Sequence, residues 1–253
     1  MANLAAPATA LDALKAPVTV LVGHFGSGKT ELAVNLALGF AARGEKVSLV
    51  DADLVKPYFR SRLLRDELGE RGVDLVAPHG DQFYADLPIL VPEVAGAVGQ
   101  AEAGLRRVVV DAGGAEVGAR VLGAVGGLRN PLLTDVLFVI NGNRPFAEDV
   151  PSIVKMLREV EHASKLRVSG LVANTHLMGE TTPAVIAVGL ELADAVSQEL
   201  GLPVRFWAAM AEMAVERWQG VDGRDWPLLT LIRRITPPSD KQPPGRRRRS
   251  SVI

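Results

Sequence analysis

Eight residues near the start of the chain carry its clearest chemical signal: Gly23, His24, Phe25, Gly26, Ser27, Gly28, Lys29 and Thr30. They fit the pattern G-x-x-x-x-G-K-[ST] at every fixed position. Glycines in such a loop let successive backbone N–H groups turn toward one anion, and a helix that begins there adds partial positive charge. Lys29 can then reach the β- and γ-phosphates, and the Thr30 hydroxyl can bind Mg²⁺. This phosphate loop therefore predicts a nucleoside triphosphate site.

The sequence on both sides of the phosphate loop favours this interpretation over a chance glycine-rich turn. Residues 18–22 form a short apolar, β-branched run, which is typical of a buried strand. Residues 31–42 carry apolar side chains at helical spacing. Strand, glycine loop and helix is the context that the motif requires. We therefore expect the eight loop residues and Glu31, at the start of the helix, to contact the nucleotide.

Two other strand-like runs end in carboxylates that suit Mg²⁺. Asp51 and Asp53 follow the apolar run 47–50, and Asp111 follows 107–110. A carboxylate at such a strand end can hold Mg²⁺, usually through water, because Mg²⁺ keeps several of its waters. Of the first two, one can support the metal while the other orients or deprotonates an attacking water or a second substrate. The alternative is that Asp111, or one of Asp51 and Asp53, merely caps the turn after its strand.

The elements that must position these residues alternate along the chain. Further strand-like runs lie at 73–76, 135–140, 168–173 and 204–207, and further helical patterns at 60–68, 91–105, 148–162 and 183–200. Because the apolar runs are continuous, the strands are expected to be covered on both faces, as in a parallel sheet flanked by helices. The predicted fold is α/β, a single three-layer domain with a mostly parallel, doubly wound sheet of about seven strands.

Composition and charge limit the kinds of site and the cellular location that the sequence allows. The chain of 253 residues has a formal net charge of −1 and no cysteine, which excludes disulfides and cysteine-ligated metal sites. It has neither the pattern of a signal peptide nor an apolar run long enough to span a bilayer, so a cytoplasmic location is expected. We expect a flexible N-terminus at 1–16, a nucleotide-binding domain at 17–235 and a disordered basic tail at 236–253.

The expected tail contains a block of arginines: Arg246, Arg247, Arg248 and Arg249. Such a block can contact nucleic acid or an anionic membrane surface by charge alone, and a peripheral membrane location would follow from the second case. A solvated terminus is the alternative. The apolar run within 227–235 allows a small membrane-facing helix, although packing on the core is the preferred interpretation. The histidines His79, His162 and His176 lack metal-ligand spacing and are expected in loops or at the surface.

Together these segments resemble the MinD/ParA/CobQ branch of P-loop proteins, in the class that also includes signal-recognition GTPases and dethiobiotin synthetase. The resemblance covers most of 18–207 and is carried by the phosphate loop, Val50-Asp51-Ala52-Asp53, Asp111-Ala112-Gly113-Gly114 and Asn174-Thr175-His176-Leu177. Two segments further resemble a little-described bacterial ATP-binding subgroup of this branch: Lys56-Pro57-Tyr58-Phe59-Arg60 and Asn143-Arg144-Pro145-Phe146.

The resemblance implies a central parallel sheet, Mg-ATP binding and slow hydrolysis used as a switch. By position it implies that Thr30 and Asp51 serve the magnesium, that Asp111 is the Walker B residue, and that Lys29 and Asp53 are catalytic, with Asp53 activating water. A homodimer is also implied. Many members, however, carry a second lysine early in the loop that reaches the partner's phosphate, and here His24 stands at that position. Lys56 or Arg60 is one hypothesis for the missing cation, and a solvated loop charge is the alternative.

The identity of the base can be argued from the strand end at Asn174. Members specific for GTP read guanine with an N-K-x-D or T-K-x-D strand end, and Asn174-Thr175-His176-Leu177 lacks the aspartate. The Asn174 amide offers both a donor and an acceptor to adenine. ATP and ADP are therefore the expected ligands, with the alternative that Asn174 holds its own loop.

The expected function is a Mg-ATP-binding switch that hydrolyses ATP slowly. The alternative is an ATP-dependent synthetase of the dethiobiotin or cobyrinate type, which activates a small carboxylate by phosphorylation. A metal-insertion chaperone is a third option, and the absence of cysteine and of a His-rich tract counts against it.

Overall fold

A computed structural model describes residues 9–52, 65–77, 87–113, 122–213 and 225–235. The strands are β1 (Val18–Gly23), β2 (Val47–Asp51), β3 (Val73–Val76), β4 (Arg107–Asp111), β5 (Thr134–Ile140), β6 (Gly170–Ala173), β7 (Val204–Met210) and β8 (Leu228–Leu231). The helices are α1 (Lys29–Ala42), α2 (Arg65–Glu70), α3 (Leu87–Glu102), α4 (Val150–Ser164) and α5 (Pro183–Leu200). No helix in these ranges is long and apolar enough to cross a membrane.

The strands form one sheet in the order β3-β2-β4-β1-β5-β6-β7-β8, and every neighbouring pair is parallel. Strands that run apolar from end to end are typical of such a sheet, because helices cover both of its faces. The predicted α/β fold with a doubly wound parallel sheet is therefore confirmed.

Within the described residues the sheet has eight strands, one more than the approximate number of seven expected from the sequence. The sequence prediction ended the sheet at 204–207 and allowed a small helix within 227–235. Instead, β8 pairs with β7 from Trp207 and Leu228 onward. It is a short edge strand in which Leu229 and Leu231 are buried while Thr230 is exposed. The sequence Leu-Leu-Thr-Leu is too short to show this alternation clearly, so its pattern did not distinguish a strand from a helix.

Side chains alternate between the two faces of the sheet and meet different helices. Leu49 and Val109 point to the face that α1 covers through Leu32, Leu36 and Phe40. The neighbouring strand residues, including Val50 and Val110, point to the opposite face, where they pack with α3, α4 and α5. Each face therefore has its own apolar core, and the phosphate loop lies where β1 passes into α1.

Candidate functional site

Three loops meet at the carboxyl edge of the sheet, because β1, β5 and β6 are adjacent in strand order. The first is the phosphate loop, the second begins at Asn141 after β5, and the third begins at Asn174 after β6. Ligands of open α/β sheets bind at this edge. The structure thus brings the phosphate loop, Asn141 and Asn174 together at one edge of the sheet.

The phosphate loop depends on glycine where its backbone turns most sharply. Gly28 has a φ of 93° and Gly26 a φ of 77°, in the left-handed region that favours glycine. A Cβ atom at Gly28 would also collide with the side-chain amide of Asn174. The two glycines thus permit both the turn and the close approach of a neighbouring loop.

Helix α1 begins without a side-chain cap, unlike α4 and α5. Asp149 caps α4 by accepting from Ser152 N, and Thr182 caps α5 by accepting from Val185 N. The N-cap of α1 is Gly28, which has no side chain to accept from the first amides. The amides and positive dipole end of α1 are therefore available to an anion.

Ser27 gives a second observation that fits an anion. Within the described residues its hydroxyl Oγ is buried and has no hydrogen-bond partner. Leaving a buried hydroxyl unsatisfied costs roughly 1–3 kcal/mol. A phosphate oxygen in the loop is an acceptor that would remove this cost. The uncapped helix start and this unpaired hydroxyl are thus two observations that fit an anion at the phosphate loop.

Lys29 extends beneath the phosphate loop rather than into solvent. Its Nζ donates to Gly23 O at 3.0 Å and to His24 O at 2.8 Å, and the residue is only 6% exposed. The two carbonyls fix the ammonium group across the loop. A buried positive charge in this position is the electrostatic partner that a polyphosphate requires.

Two side chains from the neighbouring loops hold consecutive carbonyls of the phosphate loop. Arg144 Nε donates to Gly26 O at 2.8 Å, and Asn174 Nδ2 donates to Ser27 O at 2.7 Å. In a trans peptide the C=O and N–H groups point in opposite directions. By fixing the Ser27 carbonyl, Asn174 therefore fixes the N–H of Gly28 on the opposite side of the peptide.

The loops after β5 and β6 are also bonded to each other. Asn141 Oδ1 accepts from His176 N at 3.3 Å, and Gly142 N donates to Thr175 Oγ1 at 3.1 Å. Thr175 in turn packs tightly against Gly189 of α5. The two loops thus form one support for the phosphate loop.

A cavity of about 670 Å³ opens beside the phosphate loop, and we call it the first cavity. Its polar end is lined by Gly26, Gly28, Lys29, Thr30 and Arg144. Its apolar end is lined by Met178, Ile186, Met210, Met213 and Leu231. A polar end for phosphates and an apolar end for a base and sugar match the usual make-up of ligand pockets.

Glu31 has a structural connection that its position in the sequence does not suggest. Its carboxylate accepts from Arg234 N at 2.7 Å and from Ile235 N at 3.1 Å. One turn later, Asn35 exchanges hydrogen bonds with the backbone of Ile232. Burial raises the pKa of Glu31 despite these bonds. The segment 232–235 after β8 is therefore tied to α1 and forms one wall of the first cavity.

His176 lies in a loop, as expected, but it faces the first cavity rather than bulk solvent. Burial, followed by the positive charges of Arg144 and Arg233, lowers its pKa to about 4. His176 is therefore neutral at pH 7. His162 is exposed on α4, whereas His79 lies outside the described residues.

Asp51 and Asp111 are paired in register on β2 and β4, and both are buried. Alternation places them on the same face as Leu49 and Val109, the face that α1 covers. They therefore lie on the same side of the sheet as α1, whose second residue is Thr30. Asp53 lies outside the described residues, as do Lys56 and Arg60, so their predicted roles stay predictions.

No group of three or more histidine or acidic residues within the described ranges could hold a metal ion. Mg²⁺ usually binds through one or two carboxylates together with phosphate oxygens and water. Thr30, Asp51 and Asp111 remain the predicted magnesium residues.

His24 faces away from the first cavity. Together with Gly23 and Phe25 it lines a second cavity of about 1040 Å³ against α4. Phe25 and Phe146 border this second cavity and are 48% and 73% exposed. Phe25 contributes to both cavities. The predicted nucleotide contact by His24 stays a prediction, and His24 lines the second cavity only.

Arg144 is the residue of the site to which no sequence motif gave a role. It lies in the segment Asn143-Arg144-Pro145-Phe146, which was singled out only by resemblance. The signal that points to it is positional, because polar residues directly after a central parallel strand lie at the ligand edge.

The parallel sheet, the uncapped helix and the glycine loop with its buried lysine define a P-loop nucleotide-binding domain. Residues 18–186 match the family described as the CobQ/CobB/MinD/ParA nucleotide binding domain. The chain belongs to this family, which confirms the resemblance to that branch. The finer resemblance to one ATP-binding subgroup stays a prediction.

Individual relatives lie in the same wider class. The signal recognition particle 54 kDa protein of Pyrobaculum aerophilum is 35% identical over 112 residues, which cover 40% of this chain and 26% of that protein. FtsY from Mycoplasma mycoides superposes with a TM-score of 0.51 at 19% identity, over 77% of this chain and 60% of that one. FtsY from Elizabethkingia anophelis, solved in complex with GDP, superposes with a TM-score of 0.50 at 19% identity, over 77% of this chain and 58% of that one. The chain thus spans only part of each relative, and the structural similarity supports the fold.

Proposed function

We propose that this protein binds Mg-ATP and hydrolyses it slowly, as a nucleotide-dependent switch. The observation that carries the proposal is the uncapped start of α1 beside the buried Lys29 ammonium, at the polar end of the first cavity. Amides, helix dipole and lysine charge there converge on one place for a polyphosphate. The proposed location is cytoplasmic or peripheral to a membrane, and the proposed assembly is a homodimer.

Each residue has a proposed task in hydrolysis. The bound nucleotide supplies the phosphoanhydride bond that water cleaves. The backbone amides of the phosphate loop and Lys29 bind the phosphates and stabilise the negative charge that develops on them. Thr30, Asp51 and Asp111 hold Mg²⁺ directly or through water, and Asp53 orients or deprotonates the attacking water.

The proposed preference for ATP rests on the loop after β6. Leu177, which is partly exposed, stands where the GTP-specific members have the aspartate that reads guanine. The GDP-bound FtsY has a similar fold, so GTP is the second candidate. Glu212 also lines the first cavity, and its carboxylate could accept from the exocyclic amine of adenine or from guanine N1 and N2.

Equilibrium binding of Mg-ATP and Mg-GTP to the full chain tests the proposal, followed by phosphate release at saturation. We expect tighter binding of ATP, and slow phosphate release that needs no second substrate. Tighter binding of GTP would contradict the proposed base. Phosphate release that strictly requires a small carboxylic acid would instead support the synthetase. We expect Asp53→Ala to bind ATP normally but release no phosphate, and undiminished release would remove its proposed role.

A further inference from the structure

Arg144 places a guanidinium charge at the polar end of the first cavity, in addition to the Lys29 ammonium. Its Nε is fixed on Gly26 O at 2.8 Å, and a Cβ atom built on Gly26 would lie 3.5 Å from its Cζ. The side chain therefore lies flat against the phosphate loop, at the residue where the loop turns. It lines the same cavity as Lys29 and Thr30.

The charge of Arg144 is not neutralised by an acidic neighbour within the described residues. None of the ion pairs formed there includes Arg144, whereas Arg158 on α4 pairs with Glu161 at 2.8 Å. The hydrogen bond to Gly26 uses only Nε, and no hydrogen bond from its two terminal nitrogens is formed among the described residues. These terminal groups are the ones that bind phosphate in a bidentate manner.

Backbone hydrogen bonds of the loop after β5 hold Arg144 in this position without a ligand. Arg144 N donates to Asn141 O at 3.2 Å, and Ala147 N donates to Arg144 O at 3.0 Å. The same loop is bonded to Thr175 through Gly142 N. A guanidinium held at both its backbone and its Nε loses little further conformational freedom when it binds an anion.

We propose that Arg144 binds the phosphates of the nucleotide and supplies, from the same chain, a second positive charge beside Lys29. The proposal rests on the nucleotide binding proposed above. It locates the extra cation on the loop after β5 rather than at His24, which faces the second cavity, or on a partner chain. Burial lowers the pKa of the neighbouring His176, and the positive charges of Arg144 and Arg233 lower it further.

The experiment measures binding of Mg-ATP, Mg-ADP, AMP and inorganic tripolyphosphate to wild type, Arg144→Gln, Arg144→Lys and the control Arg158→Gln. For Arg144→Gln we expect the affinity for ATP to fall roughly ten- to a hundredfold, the range for one charge-assisted hydrogen-bonded contact. The loss should be nearly as large for tripolyphosphate and much smaller for AMP. Arg144→Lys should retain part of the affinity because it keeps the charge, and Arg158→Gln should match wild type.

Several results would overturn the proposal. An equal loss for ATP and AMP would mean that Arg144 contacts the base or sugar, and equal weakness of the Gln and Lys variants would mean that its charge is not used. Unchanged binding in Arg144→Gln would exclude the contact. If Arg144→Gln does not fold, as judged by its thermal unfolding, Arg144→Lys decides by the same ligand series.

Two outcomes of the same binding series distinguish failure of this inference from failure of the proposed function. Wild-type protein that binds neither ATP nor tripolyphosphate would refute both. Wild-type binding without an Arg144 effect would refute only the inference.

Discussion

The two cavities that share Phe25 differ in what the backbone offers to a ligand. The first cavity is lined by the amide end of α1, by Lys29 and by loops bonded to one another. The second cavity is larger and is lined mainly by side chains of α4, among them Lys155, Glu159 and His162. Both contain basic residues, yet only the first combines charge with backbone amides that have a common direction.

This difference shows that volume and charge do not identify an anion site by themselves. Fixed backbone amides and an uncapped helix cost no reorganisation when an anion binds, whereas surface lysines on a helix must be ordered first. Arg144 and Asn174 donate to two consecutive carbonyls of the phosphate loop and so keep the loop preorganised for an anion. If the comparison is right, substitutions around the first cavity change nucleotide binding, and equivalent substitutions around the second do not.

The largest effect is expected from Lys29→Ala. Its buried ammonium lies between two loop carbonyls, and removing it takes away the main positive charge of the phosphate site. We expect the affinity for Mg-ATP to fall by roughly a hundredfold or more, as for the loss of more than one charged contact. Titration calorimetry measures this effect. Lys155→Ala in the second cavity is the matched control, and an equal loss in both variants would contradict the comparison.

Asn174→Ala is expected to have the next largest effect and decides between two predicted roles. If Asn174 acts by holding Ser27 O, the loss should be about tenfold for both ATP and tripolyphosphate, because one hydrogen bond is removed from the loop. If it reads the base, tripolyphosphate binding should be unchanged while ATP binding weakens. Asn143→Ala, an exposed neighbour in the loop after β5, provides the control.

Glu31→Ala should act mainly on the wall of the first cavity. The change removes the acceptor for Arg234 N and Ile235 N, so the segment 232–235 loses two of its attachments to α1. Hydrogen exchange at these amides should become faster, and ATP affinity should fall only a few-fold. Glu159→Ala should change neither quantity. Unchanged exchange at 234–235 would show that Glu31 does not hold this segment.

The smallest effect is expected from His176 and depends on pH. In the unfolded chain histidine takes up a proton near pH 6.5, whereas in the folded protein it stays neutral down to about pH 4. Between these values the unfolded state binds more protons, so acidification lowers the free energy of unfolding. Urea unfolding from pH 7 to pH 4 should show a weaker pH dependence in His176→Gln than in wild type. Parallel curves would contradict the lowered pKa.

Much of the fold could be predicted from the sequence because the apolar runs of a parallel sheet are long and continuous. The boundaries of β3 and α5 agree with the predicted runs at 73–76 and 183–200. The short edge strand β8 could not be separated from a helix, since four residues carry too little periodicity. The predicted division into 1–16, 17–235 and 236–253 stays a prediction, as does any role for the arginines of the tail.

The site was predictable only where one motif carried it. The phosphate loop and its helix follow from spacing alone, whereas the partners of Gly26 and Ser27 lie 118 and 147 residues away along the chain. Glu31 was predicted to contact the nucleotide because it follows the motif. Its hydrogen bonds to the segment 232–235 could not be predicted without knowing where β8 lies in the sheet. Contacts between distant loops follow from strand order, which no local pattern encodes.

The most direct test of the central claim is a crystal structure with Mg²⁺ and a non-hydrolysable ATP analogue. We predict the β- and γ-phosphates against the phosphate loop and Lys29, and the base in the apolar end of the first cavity near Met178 and Met210. Phosphates bound in the second cavity, or a triphosphate that contacts neither the start of α1 nor Lys29, would contradict the account.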